Sequence, residues 1–457
     1  MMREQGTIVA LATPYGAGGV AMLRLSGGEA IEVAQKIFAS TSGKKLAKMA
    51  GYTGTLGHVL DGGEVVDEAI VYVYRAPKSY TGEDVVEISL HGGVWLTQRV
   101  LRLCMQNGAV AAAPGEFTKR AFLNGKLDLS QAEAVMDLIS AQGDAAAKAA
   151  VGALEGRISA AIKAIVEKLL VQSTHLSAWS DYPEEGLADV DEAELEAALE
   201  EIKRDVDELL STYDRGRLLH EGVTAALLGR PNVGKSTLMN LFSGYERSIV
   251  TEIPGTTRDA VTESVRVGDF VLRLTDTAGI RNTDDPVEKI GVERSRRQLE
   301  RVQIVLAVFD YSEPLDEHDF ELLQKLEDKP AIAIINKTDL APALDLEKIR
   351  RFVPHVVMAS AKSGEGYDEL LAAIKKLLGT ADIDPSSPVI ANERQRGCLA
   401  RASEAIGQAM GALEQGFTLD AVNVCLDDAL EELLSLTGER ASERVIDEIF
   451  ERFCVGK

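Results

Sequence analysis

The residues with the clearest chemical potential form an octapeptide near the middle of the chain, residues 229–236, with the spacing G-x-x-x-x-G-K-S. A short apolar stretch precedes it and a helical pattern follows, which makes a chance glycine-rich turn the weaker interpretation. Backbone N–H groups of such a loop can surround a phosphate, aided by the helix N-terminus. Lys235 can reach the β- and γ-phosphates, and the Ser236 hydroxyl can bind Mg²⁺. We therefore predict a nucleotide site that contains Asn232, Val233, Gly234, Lys235, Ser236 and Thr237.

Two later segments have the residue types that a GTPase needs around its γ-phosphate. Thr257, in the sequence GTTRD, can complete the coordination of Mg²⁺. Asp276 can hold the same ion through water, and the Gly279 N–H can bond the γ-phosphate. A loop that loses these bonds after hydrolysis becomes a switch. The second segment contributes Asp276, Thr277, Ala278 and Gly279.

A third group of residues favours guanine over adenine. Asp339, at the end of an NKTD sequence, can accept hydrogen bonds from guanine N1 and N2, and adenine would leave this carboxylate unpaired. The motifs occur in the order of a GTPase, so GTP is predicted and ATP is the losing alternative. The residues assigned to guanine are Asn336, Lys337 and Asp339, with Ser360, Ala361 and Lys362 from a following SAK sequence.

The residue that would orient the attacking water is not evident from spacing. Ile280 follows the DTAG sequence at a position where a glutamine could orient water, and isoleucine cannot. Either turnover is slow or another group acts. The acidic candidates downstream, which spacing alone favours as an ordinary solvated face, are Asp284, Asp285, Glu288 and Glu293.

The elements that position these residues indicate a multidomain chain, since 457 residues exceed a single core. Residues 1–118 mix strand-like and helical patterns, which predicts an α+β domain. Residues 119–220 are rich in Ala, Leu, Glu and Lys and predict a helical bundle, with 145–179 as one continuous stretch. Residues 221–379 alternate strand and helix, as in a Ras-like α/β P-loop domain. After a linker at 381–388, helices return, so the α/β domain is predicted to be inserted in a helical domain completed by 380–457.

Composition limits the other options. Hydrophobic residues are 46% and charged residues 26%, and the formal net charge is −23, which argues against broad, charge-driven nucleic-acid binding. The four cysteines lack C-x-x-C spacing, so reduced thiols in a cytoplasmic protein are expected. Residues 7–23 carry no charge, but Pro14 and nearby glycines argue against a membrane helix or signal peptide.

The combined motifs resemble the MnmE (TrmE) family of bacterial tRNA-modification GTPases, over essentially the whole chain. The central part contributes GRPNVGKS, IVTEIPGTTRD, DTAGIR, NKTD and SAKSGEG. The N-terminal part contributes YTGED, HGG, PGEFT and RAFLNGKLDL, and the chain closes with the sequence FCVGK. Val455 in this closing sequence and Pro254 before the GTTRD sequence are conservative departures.

The resemblance implies a potassium-dependent GTPase. Asn232 matches the family's potassium ligand, and a cation beside the transferring phosphoryl group would stabilise its developing charge. Glu288 matches the water-orienting glutamate, which makes Ile280 expected. The other positions matching potassium contacts are Thr251, Ile253 and Thr256, of which the two threonines are also assigned to the GTP site.

The resemblance also implies a folate site. Glu87 matches the residue that would bind pterin N–H donors, and the basic residues would bind the glutamyl carboxylate. Without the family, Glu87 and Lys126 would be taken as structural, and Cys454 as a packed thiol. With it, Cys454 becomes a candidate catalytic residue. The residues matching contacts of 5-formyl-tetrahydrofolate are Arg24, Glu87, Lys126 and Lys457.

The partners implied by the resemblance are a second copy of the chain, tRNA and the flavoprotein MnmG. Together they would add a carboxymethylaminomethyl group to C5 of the wobble uridine, with a tetrahydrofolate one-carbon unit. A regulatory or ribosome-assembly GTPase that binds RNA without modifying it is the main alternative. A folate enzyme with an inserted GTPase is a third. The acidic runs in residues 393–453, and the lack of an evident RNA-binding domain in the sequence, argue against the regulatory or ribosome-assembly GTPase.

Overall fold

The computed structural model describes residues 6–181, 190–245, 262–267, 270–275, 302–379 and 387–457. The chain divides into two compact units. Unit 1 comprises residues 1–136, 154–203 and 401–457, and unit 2 comprises residues 137–153 and 204–400. The loop predicted after the long helix and most of the predicted linker lie outside the described residues.

Seven described strands of unit 1 form one sheet, in the order β3-β4-β5-β6-β2-β1-β7. Its pairs are antiparallel except β1 with β7, which is parallel. Two helices, α1 and α2, cover one face of the sheet with a continuous apolar core. The elements are β1 Ile8–Leu11, β2 Gly18–Ser26, α1 Ala30–Ile37, β3 Phe38–Ser40, β4 Thr53–Asp61, β5 Glu64–Tyr74, β6 Val85–Gly92, α2 Val94–Gln106 and β7 Val110–Ala111.

Strand β4 was absent from our sequence prediction. Its sequence, TGTLGHVLD, has two glycines, which weaken the strand pattern. The fold explains them, because a Cβ at Gly57 would lie 2.2 Å from the Ala39 carbonyl oxygen of the neighbouring strand. A Cβ at Gly54 would lie 2.7 Å from the Tyr72 ring. These glycines mark close cross-strand approaches.

The mainly helical part of the chain begins after β7. Residues 145–179 were predicted to be continuous, and this was wrong: α5 ends at Leu154 and α6 begins at Arg157. Gly156 has φ +86, a left-handed conformation that ends a helix. The helices are α3 Glu116–Leu123, α4 Leu129–Ser140, α5 Asp144–Leu154, α6 Arg157–Asp181, α7 Glu192–Ser211, α8 Tyr213–Glu221, α13 Glu393–Glu414, α14 Leu419–Thr437 and α15 Glu443–Glu451.

The C-terminal helix α15 joins the N-terminal part of unit 1. Ile446 and Phe450 form its buried stripe, at the four-residue spacing of one helix face. They pack with Phe122 of α3 and Leu129 of α4 in one apolar cluster. The Ser442 side chain accepts a hydrogen bond from the Val445 backbone N–H at 3.4 Å and caps the helix.

Unit 2 contains a six-stranded sheet in the order β13-β12-β11-β8-β10-β9, parallel except for the β9–β10 pair. Strands β11 and β12 are buried along their whole length, because apolar clusters cover both faces. The elements are β8 Val223–Leu228, α9 Lys235–Tyr245, β9 Thr262–Val267, β10 Phe270–Thr275, β11 Ile304–Asp310, α10 Glu317–Leu326, β12 Ala331–Asn336, α11 Leu346–Arg350, β13 His355–Met358 and α12 Tyr367–Leu377.

Candidate functional site

The predicted phosphate loop joins the carboxyl end of β8 to the first residue of α9. Strand β8 lies between β10 and β11 in the sheet. After β8 the chain continues to β9 and β10 on one side, and after β11 it continues to β12 on the other side. The loop therefore lies at a switch point of the sheet, where ligands of α/β proteins bind. Gly234 has φ +100, and a Cβ there would lie 2.1 Å from Asn336 Nδ2. Asn232 has φ +64, a conformation that asparagine tolerates better than most residues. The loop conformation therefore requires a residue without a Cβ at position 234 and left-handed backbone conformations at positions 232 and 234.

Lys235 is aimed across the phosphate loop. Its Nζ donates hydrogen bonds to the carbonyl oxygens of Gly229, at 2.7 Å, and Arg230, at 2.6 Å. Burial lowers the pKa of this half-buried amine. A buried cation gains stabilisation from an anion, so Lys235 and the α9 N-terminus form an environment suited to a phosphate.

Asn336 links the predicted base pocket to the phosphate loop. Its Nδ2 donates to the Val233 carbonyl oxygen at 2.7 Å, and its Oδ1 accepts from the Ala361 N–H at 2.9 Å. The side chain is only 2% exposed. Asn336 therefore holds three loops in register rather than facing solvent.

The other guanine-pocket residues lie around the ends of β12 and β13. The Ser360 hydroxyl donates to Asp339 Oδ1 at 2.8 Å, which fixes a carboxylate that is otherwise exposed. Lys337 has φ +65, and its Nζ forms an ion pair with Asp310 at the end of β11. Lys362 is exposed beside Ala361. The structure thus brings the two predicted guanine motifs together with the phosphate loop.

Asp310 was missed by our sequence analysis. Burial alone would raise its pKa, but the hydrogen bonds from Lys337 and Ser312 outweigh burial and lower the pKa, which keeps the carboxylate charged. The available signal was a carboxylate that ends a wholly apolar strand, where an unpaired charge would be costly. Asp310 therefore supports the pocket through Lys337.

Several predicted nucleotide-site residues lie outside the described part of the chain. Ser236 and Thr237 are described and exposed in the first turn of α9. The residues outside are Thr251, Ile253, Thr256, Thr257, Asp276, Thr277, Ala278, Gly279 and Glu288. Their roles stay predictions.

A second group of predicted residues meets in unit 1. Arg24 of β2 and Glu87 of β6 face each other in the sheet register, and Arg24 contacts Glu87 Oε1 through Nε at 2.9 Å and Nη2 at 2.8 Å. The Tyr74 hydroxyl donates to Glu87 Oε2 at 3.1 Å. The Arg24 guanidinium lies over the rings of Tyr80, at 5.4 Å, and Phe117, at 5.8 Å. Burial and the Glu87 charge raise the pKa of Tyr74 to about 12, so its proton stays in place.

The last residues of the chain lie against this group. We call residues 453–457 the tail, and Arg24, Glu87 and the tail together the tail site. The Lys457 carbonyl oxygen accepts from the Phe117 N–H at 3.1 Å, and the Gly456 carbonyl oxygen lies 3.5 Å from Arg24 Nη1. Gly456 has φ +99, and a Cβ there would lie 2.1 Å from the Leu11 carbonyl oxygen. Burial and then the charge of Arg24 lower the pKa of Lys457.

The remaining folate-site residues differ in position. Lys126 is exposed, and its Nζ donates a hydrogen bond to the Pro77 carbonyl oxygen at 3.4 Å. Cys454 is exposed, whereas Cys104 and Cys398 are buried and Cys425 is half-buried. Burial raises the pKa of Cys104 to about 12. Cys454 is therefore the most exposed thiol of the four.

Two protein-family models match the chain, one over its N-terminal part and one over the remainder. A family described as "GTP-binding protein TrmE N-terminus" matches residues 7–126, and the "MnmE helical domain" matches residues 129–454. A Geobacillus kaustophilus protein named "tRNA modification GTPase MnmE" is 44% identical over 100% of both chains. The chain belongs to the MnmE family. The Bacillus subtilis member with the same name is 43% identical over 99% of this chain and 100% of its own length.

Membership of the MnmE family confirms the predicted fold class and the assignment as a GTPase enzyme. The domain boundaries stay predictions. Within the described residues, no helix is long and apolar enough to cross a membrane. In the same residues, no group of three or more His, Cys, Asp or Glu side chains could hold a metal ion.

Proposed function

We propose that this chain is a potassium-dependent GTPase that acts as a homodimer with a flavoprotein partner of the MnmG type. The complex adds a carboxymethylaminomethyl group to C5 of the wobble uridine of certain tRNAs, using a tetrahydrofolate one-carbon unit. One observation carries the proposal: the tail, with Cys454 and Lys457, docks beside Arg24 and Glu87 of the N-terminal sheet. Residues from both ends of the chain thereby form one candidate cofactor site.

The nucleotide pocket suits GTP with Mg²⁺. The absence of a Cβ at Gly234 leaves the loop close to Asn336, and the Lys235 amine is half-buried among carbonyl oxygens. Ser236 and Thr257 would hold Mg²⁺, which neutralises phosphate charge when bound. Asp339, fixed by Ser360, would select guanine.

Potassium would be held beside the phosphates by Asn232, with Thr251, Ile253 and Thr256 completing the ligands. Bound there, the ion supplies positive charge where the transferring phosphoryl group develops negative charge. Glu288 would orient the attacking water. The exposed, left-handed Asn232 at the centre of the loop is the described residue that supports this assignment.

The tail site suits an acidic cofactor with N–H donors, such as 5-formyl-tetrahydrofolate. Lys457 and Arg24 offer positive charge, and Glu87 offers carboxylate oxygens that Arg24 and Tyr74 already orient. Lys126 would reach the glutamyl end of the cofactor. Folate supplies a one-carbon unit when bound, and Cys454 is the accessible thiol beside it.

Nucleoside mass spectrometry tests the function directly. In cells that lack this protein, wobble uridines should lose the C5 modification, and the wild-type gene should restore it. Cys454→Ser should fail to restore the modification, while the matched control Cys425→Ser should succeed. Unchanged wobble uridines in the deletion strain would refute the tRNA-modifying function.

Two solution measurements test the cofactor and partner assignments. GTP turnover should be much faster in potassium than in sodium buffer. Sedimentation should give the mass of a dimer, and a flavoprotein of the MnmG type should co-sediment with it in the cytoplasmic fraction. Equal turnover in both buffers would remove potassium from the proposal, and a monomer would remove the homodimer.

A further inference from the structure

Two side chains hold the two halves of the phosphate loop separately, one from outside the loop and one of its own. Asn336 holds the second half through the Val233 carbonyl oxygen, at 2.7 Å. The first half is held by the loop's own Arg230, whose side chain is 17% exposed and pairs with carboxylates outside the loop. A loop fixed at two points can lose one anchor and keep the other.

Three carboxylates surround the Arg230 guanidinium. Asp316 Oδ2 accepts a hydrogen bond from Nη1 at 2.8 Å, and Glu313 Oε2 lies 3.2 Å from Nη2. Asp319 Oδ2 lies 3.1 Å from Nε, and the Asp319 side chain is 1% exposed. Solvent cannot screen this last pair as it screens a surface ion pair. Loss of Arg230 would leave a buried carboxylate without its cation.

Two of the three carboxylates, Asp316 and Asp319, are themselves fixed by the start of α10. Asp316 is the N-cap residue, and its Oδ1 accepts from the Asp319 N–H at 3.0 Å. Asp319 Oδ2 accepts from the Asp316 N–H at 3.2 Å in return. This reciprocal capping box holds both carboxylates on the helix backbone. Arg230 is therefore paired with two carboxylates that the backbone of α10 holds in place.

We propose that Arg230 is a positioning residue for GTP hydrolysis, which fixes the first half of the phosphate loop to α10 and thereby places Asn232 for the turnover step. The carbonyl oxygen of Arg230 accepts from Lys235 Nζ at 2.6 Å, and Asn232 follows two residues later in its left-handed conformation. Without the anchor, residues 229–232 lose their side-chain tie to α10 and keep the Lys235 amine on their carbonyl oxygens, so Asn232 can shift. Val233 and the start of α9 remain held through Asn336.

The two anchors therefore predict different kinetic effects. Loop N–H groups near α9 bind the nucleotide in ground and transition states alike, whereas an ion held by Asn232 acts mainly on the transition state. The inference rests on the proposed role of Asn232 in cation binding. A shift of Asn232 lowers kcat and weakens potassium activation, but it leaves nucleotide affinity nearly intact.

The experiment compares Arg230→Ala and Asp319→Asn with the matched control Arg350→Ala. Arg350 forms an exposed pair with Glu347 on the same unit. For Arg230→Ala we expect kcat at saturating GTP to fall at least about tenfold, while the dissociation constant of a fluorescent GDP changes less than about threefold. The potassium concentration for half-maximal turnover should rise. Asp316→Asn should keep the helix cap, because asparagine caps helices well, and give a smaller loss.

Thermal unfolding of each variant separates positioning from stability. The proposal would be overturned if Arg230→Ala had a lower melting temperature but a wild-type kcat at temperatures where it is folded. Equal losses in kcat and in GDP affinity would also overturn it. If Arg230→Ala does not fold, Arg230→Lys and Asp319→Asn carry the same comparison. A wild-type enzyme indifferent to potassium would refute the potassium assignment, and the split between kcat and GDP affinity would still test the anchor.

Discussion

The nucleotide pocket of unit 2 and the tail site of unit 1 each contain a half-buried lysine, Lys235 and Lys457. Burial lowers the pKa of both amines. The two sites differ in how that lysine is held. Lys235 is the first residue of α9, and its amine binds backbone carbonyl oxygens of the phosphate loop that directly precedes it in sequence. Lys457 is placed by the docking of a chain terminus onto strands far away in sequence. The phosphate loop is thus locally encoded, whereas the tail site depends on tertiary packing.

This difference predicts that the pocket loses function when one contact group is removed. Asp339→Ala should weaken GTP binding by about 10² to 10⁴, since two hydrogen bonds to a charged group contribute about 1.5–3 kcal/mol each. ATP binding should not weaken comparably. Titration with fluorescent nucleotides measures both. Asp345→Ala, an exposed carboxylate on the same unit, is the control, and equal losses for GTP and ATP would contradict guanine selection.

A second prediction separates backbone conformation from ligand chemistry in the pocket. Asn232→Gly accommodates φ +64 without strain but removes the carboxamide oxygen. If that oxygen binds potassium, turnover in potassium should fall about 10- to 100-fold, with GDP affinity retained. Tyr52→Gly is the matched control, because Tyr52 has φ +61 in unit 1. Full activity of Asn232→Gly would show that asparagine serves only the backbone.

The same contrast explains how much the sequence could predict. The phosphate loop, NKTD and SAK motifs were found because each function needs a fixed spacing on one short segment. Arg24, Glu87 and Lys457 have no such spacing, and only the family resemblance joined them. Arg230 was named as part of a motif, but its carboxylate partners lie more than 80 positions further on.

Two errors in the fold prediction have related causes. The helical pattern of residues 145–179 continues through Gly156, because one glycine costs a helix only about 1 kcal/mol, and its left-handed φ appears only in the structure. Strand β4 was missed because Gly54 and Gly57 weaken a strand pattern locally. Glycine is required at these positions because atoms of neighbouring strands lie too close for a Cβ. The sequence of β4 alone does not contain that information.

A third prediction tests whether the tail site depends on packing. Gly456→Ala places a methyl group 2.1 Å from the Leu11 carbonyl oxygen at φ +99, so the tail must shift. We expect 5-formyl-tetrahydrofolate to bind about tenfold more weakly, since the strain exceeds about 1 kcal/mol. Isothermal titration measures the affinity. Val455→Ala, at an exposed neighbour, is the control. Unchanged binding in Gly456→Ala would mean that the tail is not part of the folate site.

The smallest expected effect concerns the charge on Lys457. Burial, then the charge of Arg24, lowers its pKa below the ordinary value of 10.5. A bound carboxylate favours the protonated amine, so folate affinity should be constant below the lowered pKa and fall as the pH rises through it. Lys457→Arg, which stays protonated, should remove that fall. Fluorescence titrations between neutral pH and pH 10 measure the slope for both proteins. If the slopes coincide, Lys457 does not bind the anion, and the tail would contribute to the site through its backbone and Cys454 alone.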